Sequence, residues 1–170
     1  MQIRVADSKD VELIALLGRM TFTETFGHLF RDKQDLLNYL ARTFGVQKIR
    51  TSLLKENNVF WLAFSEGLPV GYAKLKKNSP SPFLKGDHIC QLQKIYVLKD
   101  FLAQKIGQAL QDKLLNHAQD LGMKKIWLSV LKNNERAIGF YHKHGFVFLG
   151  DHTFEIGKET FDFQAMSKEL

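Results

Sequence analysis

Apolar residues recur along this chain at two spacings, and each spacing predicts a different element. Residues 2–5 read as a short strand. Asp7 or Ser8 then offers an N-cap before a helix reaching about residue 26, with Leu13, Ile14 and Leu17 on its buried stripe. Helices are expected at 32–43 and 46–56. Residues 59–64 form a continuous apolar run, the mark of a central strand, and Glu66-Gly67 turns the chain into a returning strand at 70–75. Pro80 and Pro82 make 78–87 the strongest loop signal. A strand at 89–98, a helix at 102–121 striped by Ile106, Leu110 and Leu114, and a strand at 124–131 come next. A short helix begins near Asn134 and stops at Gly145, suited to a left-handed cap. Residues 146–149 and 161–166 close the chain as strands.

This order predicts an α+β fold, a three-layer arrangement of about seven strands with flanking helices. The strand–helix–strand–helix unit in its second half calls for a parallel strand pair. The 170 residues suit a single domain spanning the chain. No apolar run reaches membrane-spanning length, and the first ten residues lack a signal-peptide pattern. Cys90 is the single cysteine, so no internal disulfide is possible and a cytoplasmic setting is expected. It reads as buried filler.

Lysine and arginine number 24 against 18 aspartates and glutamates, a net charge of +6 that favours anionic ligands. The positive residues are dispersed; Lys74, Lys76 and Lys77 come nearest to a cluster. No helix-turn-helix or RNP-type signature accompanies them, so nucleic acid is not expected as a partner. No membrane partner is expected either. Metal spacing among the six histidines and one cysteine is absent, and no metal is expected.

Two segments carry candidate chemistry. In the first, Ile95-Tyr96-Val97 runs into a helix whose first turn holds Gly107, with Lys105 adding charge. Free amides at such a helix start, aided by the helix dipole, can hold phosphate oxygens. In the second, Asn134 and Tyr141 lie seven residues apart, two helical turns, and so share a face with Ala137 and Phe140.

Together these segments resemble the GNAT superfamily, the GCN5-related N-acetyltransferases, over nearly the whole chain. Residues 92–110 and 127–146 carry the likeness most strongly. Thr21-Phe22-Thr23-Glu24-Thr25-Phe26, Lys94-Ile95-Tyr96-Val97, Ile126-Trp127-Leu128 and Gly150-Asp151-His152-Thr153-Phe154 are most similar to bacterial PaiA-type polyamine acetyltransferases. The resemblance implies acetyl-CoA as donor, lying between two splayed parallel strands. Its pantetheine arm would run along Ile95, Tyr96 and Val97. Its pyrophosphate would rest on the turn Leu102, Ala103, Gln104, Lys105, Ile106, Gly107 and Gln108. Asn134 and Tyr141 match the family's asparagine and its tyrosine near the thioester sulfur, and Lys143 stands where a basic residue meets a CoA phosphate.

The chain departs from the pattern twice. Where the family's turn reads Gln/Arg-x-x-Gly-x-Gly/Ala, the positions counted from Val97 are Leu102, Lys105 and Gly107. A literal match at Gln104, Gly107 and Ala109 lies two residues further on. Gln91 and Gln93 stand where PaiA-like proteins carry strand glutamates. The implied activity is acetyl transfer to a small-molecule primary amine, a polyamine among the options, by direct attack with Tyr141 assisting the departing sulfur. Glu24, Gln91, Gln93 and His152 are the candidate acceptor-binding residues; His88, His152 and Glu24 are candidates for the base. The alternatives are a CoA-binding sensor without turnover, and an acetyltransferase acting on a protein amine. Oligomeric state is open, a homodimer among the options.

Overall fold

The computed structural model describes all residues, 1–170. Seven strands form one sheet in the order β1-β2-β3-β4-β5-β7-β6. They are β1 (Gln2–Val5), β2 (Asn58–Ser65), β3 (Leu68–Lys76), β4 (Ile89–Val97), β5 (Lys125–Leu131), β6 (Val147–Ile156) and β7 (Glu159–Glu169). Helices α1 (Val11–Phe26), α2 (Lys33–Phe44) and α3 (Val46–Leu53) cover one face; α4 (Ile106–Asp120) and α5 (Glu135–Lys143) cover the other. All neighbours pair antiparallel except β4 and β5, the parallel pair that the strand–helix–strand unit demands. No helix is long and apolar enough to cross a membrane.

Local chemistry fixes the first helix. Asp7 accepts from the Lys9 amide, and Asp10 reaches back to the Asp7 amide, closing a capping box. Asp10 is almost fully buried, and its two oxygens take both Arg4 nitrogens at 2.7 Å. The Arg4 guanidinium holds the Asp10 carboxyl below its usual range. Asp32 caps α2 through the Gln34 amide.

One core packs α4 and the inner face of α5 on the sheet, including Leu110, Leu114, Ile126 and Tyr141. Across the sheet two smaller clusters seat α1 to α3. The second of these is rich in rings: the Phe22 ring centroid lies 4.7 Å from that of Tyr39 and 5.7 Å from that of Phe44, both pairs tilted.

Helix α4 and the two closing strands differ most from expectation. Helix α4 starts at Ile106, four residues later than the apolar stripe suggested. Residues 102–105 instead make a turn, with Ala103 at φ 66° and Lys105 at φ 61°. Side chains rarely adopt that left-handed geometry, and a helix cannot run through it. The closing strands are also longer than expected. β6 and β7 form one hairpin through Gly150 to Phe154, a stretch whose charges and glycine hide its alternation. Gly157 turns the hairpin at φ 57°, and a Cβ there would overlap the Asp35 carboxylate. β6 is a sheet edge and leaves Val147, Phe148 and Phe154 exposed, with Asp151 and Glu155 on the same strand.

The feature that matters most for the site is a bulge in β4. Leu75 pairs with Leu92 and Lys74 with Lys94, so Gln93 is an extra residue with no partner on β3. Below it, Cys90 and Leu92 join the α4-side core; above it, Ile95 and Val97 do. Strict alternation would have put Lys94 on the face of Leu92. The bulge turns it to the opposite face, where its ammonium lies 5.0 Å from the Phe44 ring centroid.

Candidate active site

β4 and β5 pair only at Ile89–Gln91 with Lys125–Trp127. Beyond Gln91 they separate, and the β5-facing main-chain groups of β4 lose their strand partner. A crevice of about 550 Å³ fills the gap. Ile95, Tyr96 and Val97 line it from β4, Ser129, Val130 and Leu131 from β5, and Ala137, Phe140 and Tyr141 from α5.

The turn before α4 floors this crevice. The amides of Ala103, Gln104, Lys105, Ile106, Gly107 and Gln108 donate to no acceptor in the chain. Left-handed residues at 103 and 105 bring successive N–H groups into a concave nest, placed at the positive end of α4. That is a built receptor for phosphate oxygens. A Cβ at Gly107 would meet only Val97, at 4.0 Å, so close approach is not its requirement. Lys99, Lys105, Arg136 and Lys143 line the crevice, against Glu24 as its only carboxylate. A polyanionic, nucleotide-bearing thioester fits this donor set.

Asn134 is the N-cap of α5 and not part of its helical face. Its Oδ1 accepts from the Ala137 amide at 3.1 Å, which leaves the Nδ2 group as a free donor beside the crevice. Tyr141, one helix length on, is buried among Phe140 and Phe146, and burial pushes its phenol well above the ordinary tyrosine range. The hydroxyl therefore stays protonated, and Tyr141 is among the residues that line the crevice.

A second cavity of about 230 Å³ adjoins the crevice on the α1–α2 side. Phe26, Gln93, Lys94, Tyr96, Ser129 and Phe163 line both spaces. His152 stacks on Phe163, rings 5.5 Å apart and 14° from parallel. Its Nε2 lies 2.8 Å from the Ser129 Oγ. Glu24 is exposed at the crevice, and its carboxylate accepts from the Lys99 amide at 3.0 Å. Gln91 lies outside both cavities, where its side-chain oxygen accepts from the Ser79 hydroxyl. His88 lines neither.

Lys94, Ser129 and Arg136 belong to the site although their residue types gave no signal. Lys94 is hidden by the bulge, which breaks the alternation that places side chains. Burial lowers its pKa to about 8. The cysteine is inert: burial raises the Cys90 thiol to about 12.

The acetyltransferase (GNAT) family pattern matches residues 21–146. This chain belongs to that family. It is an N-acetyltransferase that uses acetyl-CoA as donor. An uncharacterized N-acetyltransferase of Lactobacillus delbrueckii subsp. lactis is 23% identical over 159 residues, covering 94% of this chain and 91% of that relative. Another, from Mycobacterium tuberculosis, is 34% identical over 105 residues, covering 62% of this chain and 63% of the relative. Among solved structures, the fold is similar to PaiA N-acetyltransferase from Thermoplasma acidophilum in complex with coenzyme A. The TM-score is 0.76 at 18% identity, over 100% of both chains. A GCN5-related N-acetyltransferase from Rhodopseudomonas palustris is equally similar, with TM-score 0.76 at 21% identity over 99% of this chain and 95% of that one.

Proposed function

We propose that the enzyme moves the acetyl group from acetyl-CoA onto a small-molecule primary amine by direct attack, with both substrates bound at once. The observation that carries this is the continuity of two spaces: a crevice floored by free amides adjoins, through Lys94, Tyr96 and Ser129, a smaller cavity lined mostly by aromatic rings. The first suits a phosphorylated thioester and the second a compact acceptor.

Three requirements of the chemistry meet candidate groups. An alkyl amine is neutral in roughly one molecule in two thousand at pH 7, a barrier contribution of about 4.6 kcal/mol that desolvation and a base must offset. Ser129 and His152 supply the base as a relay: the attacking nitrogen gives its proton to Ser129 Oγ while the hydroxyl proton passes to His152 Nε2. The carbonyl oxygen gains negative charge as the C–N bond forms, and a β5-facing amide of Ile95–Val97 donates to it. As the C–S bond breaks, the Tyr141 hydroxyl donates a hydrogen bond to the leaving sulfur. Full proton transfer from so weak an acid is uphill; hydrogen bonding is not.

The resemblance to PaiA-type enzymes suggests a polyamine acceptor, and Lys94 opposes it. Two ammonium groups about 5 Å apart at an effective dielectric of about 20 repel by roughly 3 kcal/mol. Aromatic walls return only about 0.5–2 kcal/mol to a bound cation. Repulsion wins, so a monoamine fits this cavity better.

Calorimetric titration with acetyl-CoA, followed by a thiol-release assay over an amine panel, tests the reading. Binding with amine-dependent CoA release supports it. Binding without release for any amine makes the protein a CoA sensor instead.

A further inference from the structure

Resting on that acetyl-transfer reading, we propose that the acceptor is an amine with a bulky apolar body and a carboxylate, an aromatic amino acid or close analogue, its carboxylate on Lys94 and its body in the aromatic cavity.

The cavity sets the body. Its walls include Phe22, Tyr39, Phe154, Ile156, Phe161 and Phe163. Its volume of about 230 Å³ exceeds the roughly 150 Å³ that accommodates a benzene ring. A flexible polar chain would lose its hydration there and find few partners. A ring would lose little, and it would meet rings over most of the lining.

The charges set the carboxylate. No aspartate or glutamate lines this cavity. Lys94 is the one ammonium on its walls, held over the rings of Phe44 and Tyr96 at 5.0 and 5.8 Å. Its ammonium forms no salt bridge and donates to no acceptor in the protein, yet it is not sealed from the cavity. A buried cation without a counter-charge is costly, and a ligand carboxylate would supply the missing partner. The surroundings reinforce this sign. Lys74 is the register partner of Lys94, and the charges that act on Lys74 are all lysines: Lys94, Lys76, Lys55 and Lys48. Glu24, the nearest carboxylate of the crevice, is engaged by the Lys99 amide.

The test compares four amines in the CoA-release assay with the full chain. L-phenylalanine carries body and carboxylate, phenethylamine the body alone, glycine the carboxylate alone and spermidine extra positive charge. L-phenylalanine is expected to exceed phenethylamine in kcat/KM by about 10–100-fold, the worth of a charged hydrogen bond, and to exceed glycine and spermidine by more. In Lys94→Met the advantage over phenethylamine should vanish; in Lys94→Arg it should survive in part. Preference for phenethylamine or spermidine, or a ratio unmoved by Lys94→Met, overturns the proposal while leaving acetyl transfer intact. If no amine releases CoA, acetyl transfer fails instead, and calorimetry with CoA present decides the proposal: L-phenylalanine binding that Lys94→Met abolishes supports it, and no binding overturns it.

Discussion

Lys74 and Lys94 face each other as cross-strand partners between β3 and β4, two partly buried amines with no carboxylate between them. Desolvation first, and for Lys74 the neighbouring lysines after it, lower their pKa values from 10.5 to about 7 and about 8. Each amine therefore holds its proton less well in the folded chain than in the unfolded one. The resulting penalty is fully present below about pH 7 and is relieved as pH rises through the folded values toward 10.5. Stability to urea should rise between pH 7 and pH 8.5, by about 1–2 kcal/mol. Above about pH 9 the buried Cys90 thiol opposes the trend, since the unfolded chain ionises first. Lys94→Met should be more stable than the parent at pH 7 and show a shallower rise. A parent midpoint flat across this window would contradict the assignment.

Tyr141→Phe separates binding from chemistry. Burial alone accounts for the raised phenol pKa, with no hydrogen bond of the protein contributing, so removing the hydroxyl should leave the fold and the acetyl-CoA dissociation constant within about twofold of the parent. If the hydroxyl assists sulfur departure, kcat should fall by about 10–100-fold, as loss of one hydrogen bond made in the transition state does. Titration and single-turnover kinetics together check it.

Ser129→Ala and His152→Ala should each lower kcat/KM by about 10²–10³-fold at pH 7. Since the two groups act as one relay, the double variant should cost little more than either single one. Additive losses would mean that they act separately.

Gln111 offers a stability test remote from the site. It is fully buried on α4, and neither its amide nitrogen nor its amide oxygen has a partner. Gln111→Met keeps the shape and removes two unsatisfied groups. It should stabilise the fold by about 1–3 kcal/mol, read as a higher urea midpoint with an unchanged slope.

The sheet and most helices were legible because their signals are local and periodic. The run Val59–Phe64 and the stripe Ile106, Leu110, Leu114 each mark one buried face, and the structure uses those faces. The Asp7 cap was legible for the same reason, standing where an oxygen must meet a free amide, whereas Asp32 was read as the first residue of its helix and proves to be its cap. The start of α4 was not legible. Ala103 and Lys105 take a conformation that usually advertises itself by glycine, so nothing in their identity warns of the turn. Lys94 was hidden more deeply. A one-residue bulge reverses the face of every side chain after it, and no residue at Gln93 announces the insertion. Asn134 and Tyr141 were visible as a pair, but helical spacing alone did not distinguish a cap from a helical residue.

The outer border of the sheet carries a practical consequence. Along β6 the main-chain donors and acceptors on one side meet no further strand, beside the bare side chains of Val147, Phe148 and Phe154. Glu155 and, beside its partner Lys132, Asp151 put charge on this strand, the kind of side chain that discourages a second copy from zipping onto an edge. Acidifying a concentrated sample, or replacing those two carboxylates with amides, would remove that guard and turn this rim into the seed of ordered clumping.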